Sequence, residues 1–254
     1  MKTALVTGGS SGIGQDIVIR LAKEGYRVIT CARRIDKLEA LRTQLHSQGY
    51  VIYPFQTDLK SQKSIHQLFK EIRNQFGKID VLVNSAAVGH KAPLSNAPTK
   101  LWREMLAVNV LALCICSREV IKELSSSKSR GHIINISSLS GHRLASEGGM
   151  YEATKFAVTA ITESLRRELL STNGRIKVTQ ISPGLVKTGF HEQYYKSHDA
   201  AESVYTQFTP LNSSDIAEVV VFVLSQPDNV QINDILIELN QLQFENEFDK
   251  GEVA

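Results

Sequence analysis

Three side chains in the second half of this 254-residue chain, Ser138, Tyr151 and Lys155, could together move a proton to or from a substrate oxygen. A tyrosine titrates near pH ~10, too high to exchange protons readily at neutrality. A neighbouring ammonium favours the phenolate and lowers that value. A spacing of four puts Tyr151 and Lys155 on one helical face, with Cβ atoms about 5–6 Å apart. In that arrangement Tyr151 is the acid/base, Lys155 its tuner and Ser138 the hydroxyl that orients the substrate oxygen. Tyr-x-x-x-Lys alone is weak evidence: a chain with 7 tyrosines meets it readily by chance, and a tyrosine above a solvated lysine is an ordinary helix surface.

A second motif says what is held. The run Thr7-Gly8-Gly9-Ser10-Ser11-Gly12-Ile13-Gly14 follows the short β-branched stretch Lys2 to Thr7 and opens a segment of helical period, Gly14 to Ala22. Strand, glycine turn and helix together aim backbone N–H groups and the positive helix end at a pyrophosphate. This makes Gly8, Ser10, Ser11, Gly12, Ile13 and Gly14 candidate dinucleotide contacts, against the alternative of an ordinary tight turn. An acidic residue after the second strand would hold the ribose 2′-hydroxyl of NAD. Here that place reads Ala32-Arg33-Arg34. Arginines at a helix start oppose the helix dipole but match a 2′-phosphate, so Arg33 and Arg34 predict NADP(H).

The elements that must position these residues follow from periodicity. Strands are predicted at 2–7, 27–31, 50–56, 80–84, 131–137, 176–182 and 231–238. Helices are predicted near 12–24, 35–48, 61–76, 99–124, 150–173 and 213–225. Apolar runs such as Val81-Leu82-Val83 do not alternate, as expected of strands covered on both faces. The expected fold is therefore α/β: a single-domain Rossmann fold, a doubly wound parallel sheet of about seven strands with helices on both faces. Ligands on such sheets sit beyond the carboxyl ends of the strands. That singles out Asp58-Leu59, the small residues after Asn84 (Ser85-Ala86-Ala87), Ser138, and Pro183-Gly184 with Thr188 within reach of a ring amide. Asp58 could cap the next helix, accept from the adenine amino group, or both.

Composition narrows the classes further. The formal net charge of +3 is spread among mixed charges, which gives no case for nucleic acid. Cys31, Cys114 and Cys116 do not form a disulfide framework, and the last two, two apart on a helix, cannot share a metal or a bridge. No metal site is expected. The first strand begins almost at once and no apolar run is long enough to span a bilayer, so a soluble, cytoplasmic protein is expected. Residues 1–240 read as one catalytic and dinucleotide-binding domain, and the mostly acidic and polar 241–254 as a frayed tail.

Taken together, the glycine turn, Asp58, the Asn84 segment, Asn109, Ser138, Tyr151, Lys155 and Pro183-Gly184 resemble the short-chain dehydrogenase/reductase family in its single-domain form. The resemblance runs from about Lys2 to Leu239. It implies Tyr151 as general acid/base, Ser138 as the oxygen-orienting group, and Lys155 as the residue that binds the nicotinamide ribose and lowers the tyrosine pKa. It further implies Asn109 in a proton relay, Val186 and Thr188 at the nicotinamide carboxamide, and NADP preference through Ala32-Arg33. Cys31-Ala32-Arg33, Leu111 to Glu119, Ser140-Gly141-His142-Arg143 and Gln231 to Ile235 resemble the branch of farnesol dehydrogenases and animal carbonyl and hydroxysteroid reductases. Two departures stand out: Ser85 and Ala87 replace part of the usual Asn-Asn-Ala-Gly, and the last strand lacks a Gly-rich ending. The second departure argues against a ketoreductase acting on acyl-carrier protein.

The implied activity is interconversion of a carbonyl and an alcohol. A 3-oxoacyl-thioester or 3-hydroxy acid enzyme, and a non-catalytic NADP sensor, are the alternatives; a sensor would be free to lose Ser138, Tyr151 or Lys155. Residues 185–212 are expected to cover the site, with Tyr194, Tyr195, Tyr205 and Phe208 either packing as core or lining an apolar pocket for a hydrophobic alcohol or ketone. Helix 99–124 is apolar nearly all round and 150–173 is also rich in apolar residues, which predicts a homo-oligomer, a dimer or tetramer.

Overall fold

The computed structural model describes residues 1–144, 149–172, 174–207 and 209–240. Seven strands pair in parallel in the order β3-β2-β1-β4-β5-β6-β9. These are β1 (Thr3–Thr7), β2 (Arg27–Ala32), β3 (Ile52–Gln56), β4 (Val81–Asn84), β5 (Gly131–Ile136), β6 (Ile176–Pro183) and β9 (Asp234–Ile237). Each predicted strand is present. β1 and β4 are buried at every residue, which is why they show no alternation. On one face pack α1 (Gly12–Lys23), α2 (Ile35–Ser47) and α9 (Ser213–Ser225), through Ile17, Leu21, Leu41, Leu45, Ile216 and Val220. On the other pack α3 (Gln62–Phe76), α5 (Leu113–Ser126) and α6 (Gly149–Thr172), through Phe69, Ile72, Val120, Leu124 and Leu169. The result is a single-domain doubly wound Rossmann fold.

The strand order reverses between β1 and β4, whose pairing sets Thr7 beside Asn84. β5 continues the row by placing Asn135 beside Asn84. The carboxyl ends of these strands therefore open on one crevice, where ligands bind in such sheets.

Two features depart from a simple strand–helix alternation. Predicted helix 99–124 is interrupted: α4 (Thr99–Met105) runs through a π-helical stretch, Leu106–Ala112, into α5. Residues 185–212 carry two short helices, α7 (Phe190–Tyr195) and α8 (His198–Gln207), between two-residue strands β7 (Val186–Lys187) and β8 (Leu211–Asn212), which pair in parallel. Phe208 and the tail 241–254 lie outside the described residues. Among the described residues, no helix is long and apolar enough to cross a membrane.

Candidate active site

A single cleft of about 1010 Å³ runs along the carboxyl ends of the strands, from Ser10 and Arg34 at one end to Ser138, Tyr151 and Phe190 at the other. The glycine turn forms its floor because nothing larger fits. Gly8 holds φ +78°, and a Cβ there would stand 2.7 Å from Ala86 Cα. A Cβ at Gly14 would come within 2.5 Å of the Gly8 carbonyl oxygen. α1 begins with no side-chain cap and no acidic residue in its first turn, so its N–H groups and positive end face the cleft unopposed. Ser85 Oγ, on the cleft wall, is buried with no protein partner. A cradle that excludes Cβ atoms, an uncapped helix start and an orphaned hydroxyl fit a dinucleotide.

Arg34 Nη2 donates to Ser11 Oγ at 3.1 Å and to Ser10 Oγ at 3.4 Å, binding the start of α2 to the glycine turn. Arg33 Nη1 lies 3.8 Å from Glu104 Oε1, a carboxylate it shares with Lys60 Nζ at 3.6 Å and His90 Nε2 at 3.1 Å. Both arginines line the cleft with Lys37 beside them. Asp58 and Leu59 line it as well, but Asp58 is not a helix cap: Ser61 Oγ accepts from Ser64 N at the start of α3, while Asp58 Oδ1 accepts from Lys60 N at 3.0 Å. Five residues, Thr57 to Ser61, lie between β3 and α3, so the cap falls to the one next to the helix.

At the other end, Ser138 follows β5 in extended backbone and accepts from Ser140 N at 3.1 Å. Its side chain lies near enough to the Tyr151 hydroxyl to favour the phenolate. One turn on along α6, Lys155 is buried, its Nζ 5.8 Å from the Tyr151 ring centroid and donating to the Ile136 carbonyl at 3.1 Å. Burial pulls the Lys155 ammonium down to about 8. It also raises the Tyr151 phenol above its usual range, and the nearby Ser138 hydroxyl offsets only part of that rise. Proximity in sequence predicts a phenol lowered by its lysine; in the folded chain the phenol is instead raised, chiefly by loss of water around it.

Asn84 and Asn109 stand behind the cleft rather than in its wall. Asn84 Nδ2 donates to Asn135 Oδ1 at 2.9 Å and to Ser117 Oγ at 3.2 Å, joining β4, β5 and α5. Asn109, in the π-helical stretch, accepts from Val88 N at 2.8 Å and donates to Val88 O at 2.9 Å and Thr154 Oγ1 at 3.1 Å. It thereby holds the irregular segment after β4 against α6. Pro183, Gly184, Val186 and Thr188 line the cleft opposite Ser138.

A sequence model of the short chain dehydrogenase family matches residues 2–199. This chain belongs to that family. It is 40% identical over 240 residues, 92% of this chain and 94% of the relative, to the Bos taurus dehydrogenase/reductase SDR family member 11. It is 38% identical over 241 residues, 93% and 95% of the two chains, to an Aedes aegypti farnesol dehydrogenase. Among solved structures, the closed form of a serine dehydrogenase complexed with NADP+ superposes with a TM-score of 0.86 at 32% identity, covering 92% of this chain and 94% of that one. The short-chain dehydrogenase described here is accordingly an oxidoreductase acting on CH–OH groups.

Several residues of the dehydrogenase's site carry no local signal. Thr7 Oγ1 accepts from Ser85 N and Ala86 N at 3.1 and 3.2 Å, holding the segment after β4 against β1. Phe190 and Tyr194 of α7 pack on Tyr151 with ring centroids 5.3 and 6.0 Å away, and Gly89 admits them, since a Cβ there would lie 2.2 Å from Phe190 Cζ. Leu144, 64% exposed, and Arg143, paired with Glu238, line the cleft beyond Ser140. A sequence can mark 185–212 as aromatic; it does not say which ring reaches Tyr151.

Proposed function

We propose that this dehydrogenase interconverts a hydrophobic carbonyl compound and its alcohol with NADP(H), and that Tyr151 transfers the proton. The observation that carries the reading is the meeting of Ser138, Tyr151 and a buried Lys155 in one cleft that Arg33 and Arg34 also line. The glycine turn and the start of α1 would hold the pyrophosphate, and Arg34, Ser10, Ser11 and Arg33 would hold the 2′-phosphate. NADPH, when bound, supplies the hydride. Ser138 Oγ and Tyr151 Oη together hold the substrate oxygen, and the phenol, protonated at neutral pH because it is buried, donates to the developing alkoxide. Lys155, one turn away, supplies positive charge to the phenolate left behind and binds the nicotinamide ribose. Asn109 keeps the Val88 segment in place and relays protons through the interior.

The substrate end supports a neutral, apolar ligand. Phe190, Leu139, Leu144 and Leu185 line it, with Tyr194 packed on Tyr151 and Phe190, and residues 185–212 act as its lid. Arg143, a cation that lines this end besides Lys155, is already paired with Glu238, so a substrate carboxylate drawn to it must displace that partner, which disfavours a 3-hydroxy acid. The Aedes aegypti relative is named for farnesol, which fits a long apolar alcohol. The dehydrogenase works in the cytoplasm as a homo-oligomer, joined through the faces carrying Leu106, Leu111 and Phe156, which are exposed on the π-helical stretch and α6. A panel of farnesal, a ketosteroid, a simple diketone and a 3-oxo acid, each assayed with NADPH and NADH, tests the reading. Turnover of the apolar carbonyls with NADPH is expected; turnover confined to the 3-oxo acid, or equal efficiency with NADH, overturns it.

A further inference from the structure

One tyrosine of the lid does not face the cleft at all, yet its hydroxyl is crowded with partners. Tyr205, on α8, is 7% exposed. Its Oη accepts from Thr188 N at 3.2 Å and donates to Thr188 O at 2.8 Å, so it holds both polar groups of one backbone residue. His191 Nδ1 lies 2.9 Å from the same oxygen. With the phenol proton directed to Thr188 O, the nearer of two carbonyls (Val186 O lies at 3.5 Å), the hydroxyl oxygen is left to accept from Thr188 N–H and from His191 Nδ1 in its Nδ1–H tautomer. The bond is consistent with a neutral His191, whose pKa burial lowers.

Thr188 is the junction of three parts of the site. Its methyl packs over Gly12, where a Cβ would stand only 3.1 Å from Thr188 Cγ2. Its Oγ1 accepts from Phe190 N at 3.2 Å and so starts α7, whose first ring rests on Tyr151. Its backbone is held by α8 through Tyr205. A shift of Tyr205 would therefore be felt at the glycine turn and at the ring over the catalytic phenol.

We propose that Tyr205 is a positioning residue for the nicotinamide end of the cofactor, acting through the Thr188 backbone, with His191 locking its hydroxyl. This rests on the reading of the cleft as an NADP(H) site. Tyr205→Phe keeps the ring, its edge contact with His191 and its place beside Lys187, and removes only the oxygen. Loss of the buried hydrogen bonds predicts NADPH affinity lower by roughly five- to thirtyfold. Adenosine 2′,5′-bisphosphate, which carries the adenylate and 2′-phosphate but no nicotinamide, is expected to bind the variant as it binds wild type. His191→Ala should weaken NADPH selectively in the same sense. His191→Asn, whose amide nitrogen can stand near the position of Nδ1, should restore it.

Titration of NADPH and adenosine 2′,5′-bisphosphate against wild type and the three variants decides the matter, with circular dichroism to establish folding. If Tyr205→Phe does not fold, the contrast between His191→Ala and His191→Asn carries the test. Parallel loss of both ligands in the folded variants, or no loss of NADPH, overturns the inference while leaving the cofactor assignment intact. Failure of wild type to bind NADPH overturns the cofactor assignment itself, and this inference with it.

Discussion

Lys155 Nζ donates to the Ile136 carbonyl at 3.1 Å and stands 5.8 Å from the centre of the Tyr151 ring, so the ammonium is anchored to β5 and presented to the phenol from one side. That anchoring costs solvation. A lysine 3% exposed and held to a single carbonyl is an expensive charge, retained at a position the fold would fill more cheaply with an apolar side chain.

Replacing Lys155 by Met should therefore stabilise the protein at pH 7 by about 1–3 kcal/mol while abolishing most turnover. The pH dependence gives the sign. The folded lysine titrates at about 8 against 10.5 unfolded. Between those values the unfolded chain binds the extra proton, so wild-type stability rises with pH across that window and the deficit is full below it. Denaturant melts at pH 7 and near pH ~10 should show that rise in wild type and its absence in Lys155→Met. A variant less stable than wild type at pH 7 would contradict the burial argument.

Tyr151→Phe should reduce carbonyl turnover by roughly 10²–10⁴-fold, the usual worth of a positioned general acid. NADPH affinity should stay within a few-fold, since the pyrophosphate and 2′-phosphate contacts lie elsewhere. In wild type, kcat/KM for reduction should be level through neutrality and fall above about 8 as Lys155 loses its charge. Less than a tenfold loss in Tyr151→Phe would remove the phenol from the proton-transfer role.

Arg33 and Arg34 are held differently, and their variants should differ. Arg34 is already bound to Ser10 and Ser11, whereas Arg33 must leave Glu104 to reach a phosphate. Hydrogen bonds to charged groups contribute about 1.5–3 kcal/mol, so Arg34→Ala should raise the NADPH KM by tenfold or more. Arg33→Ala should raise it less, and neither should change the NADH KM appreciably. Steady-state kinetics with both cofactors measures this; a uniform loss with NADPH and NADH would show that the arginines shape the cleft rather than read the phosphate.

Leu111 is 58% exposed in the π-helical stretch and Phe156 is 40% exposed on α6, two elements packed against each other. Light scattering at micromolar concentration should give two or four times the 28.2 kDa chain mass, and Leu111→Glu should shift the protein to a smaller species. A wild-type mass near that of one chain would rule out assembly through this face.

What the sequence determined by itself is the part of this protein that short-range chemistry controls. Gly8, Gly12 and Gly14 can be read because a turn after a strand and before a helix leaves few other reasons for three such glycines. All seven main strands can be read because residues such as Val81 to Val83 must be apolar on both faces wherever a parallel sheet is covered twice. The i, i+4 relation of Tyr151 and Lys155 can be read because helix geometry is local.

Only the tertiary structure decided the rest, because the deciding contacts join residues far apart in the chain. Asn109 bonds Val88 from a π-helical stretch that its apolar sequence does not announce. Gly89 makes room for Phe190, and Tyr205 clasps Thr188, through approaches that loop residues specify only once the sheet has set their distance. The direction of the Tyr151 shift is of the same kind. Sequence places a cation one turn from the phenol, whereas the packing of Phe190 and Tyr194 on the ring belongs to its burial, and it is burial that sets the direction of the shift.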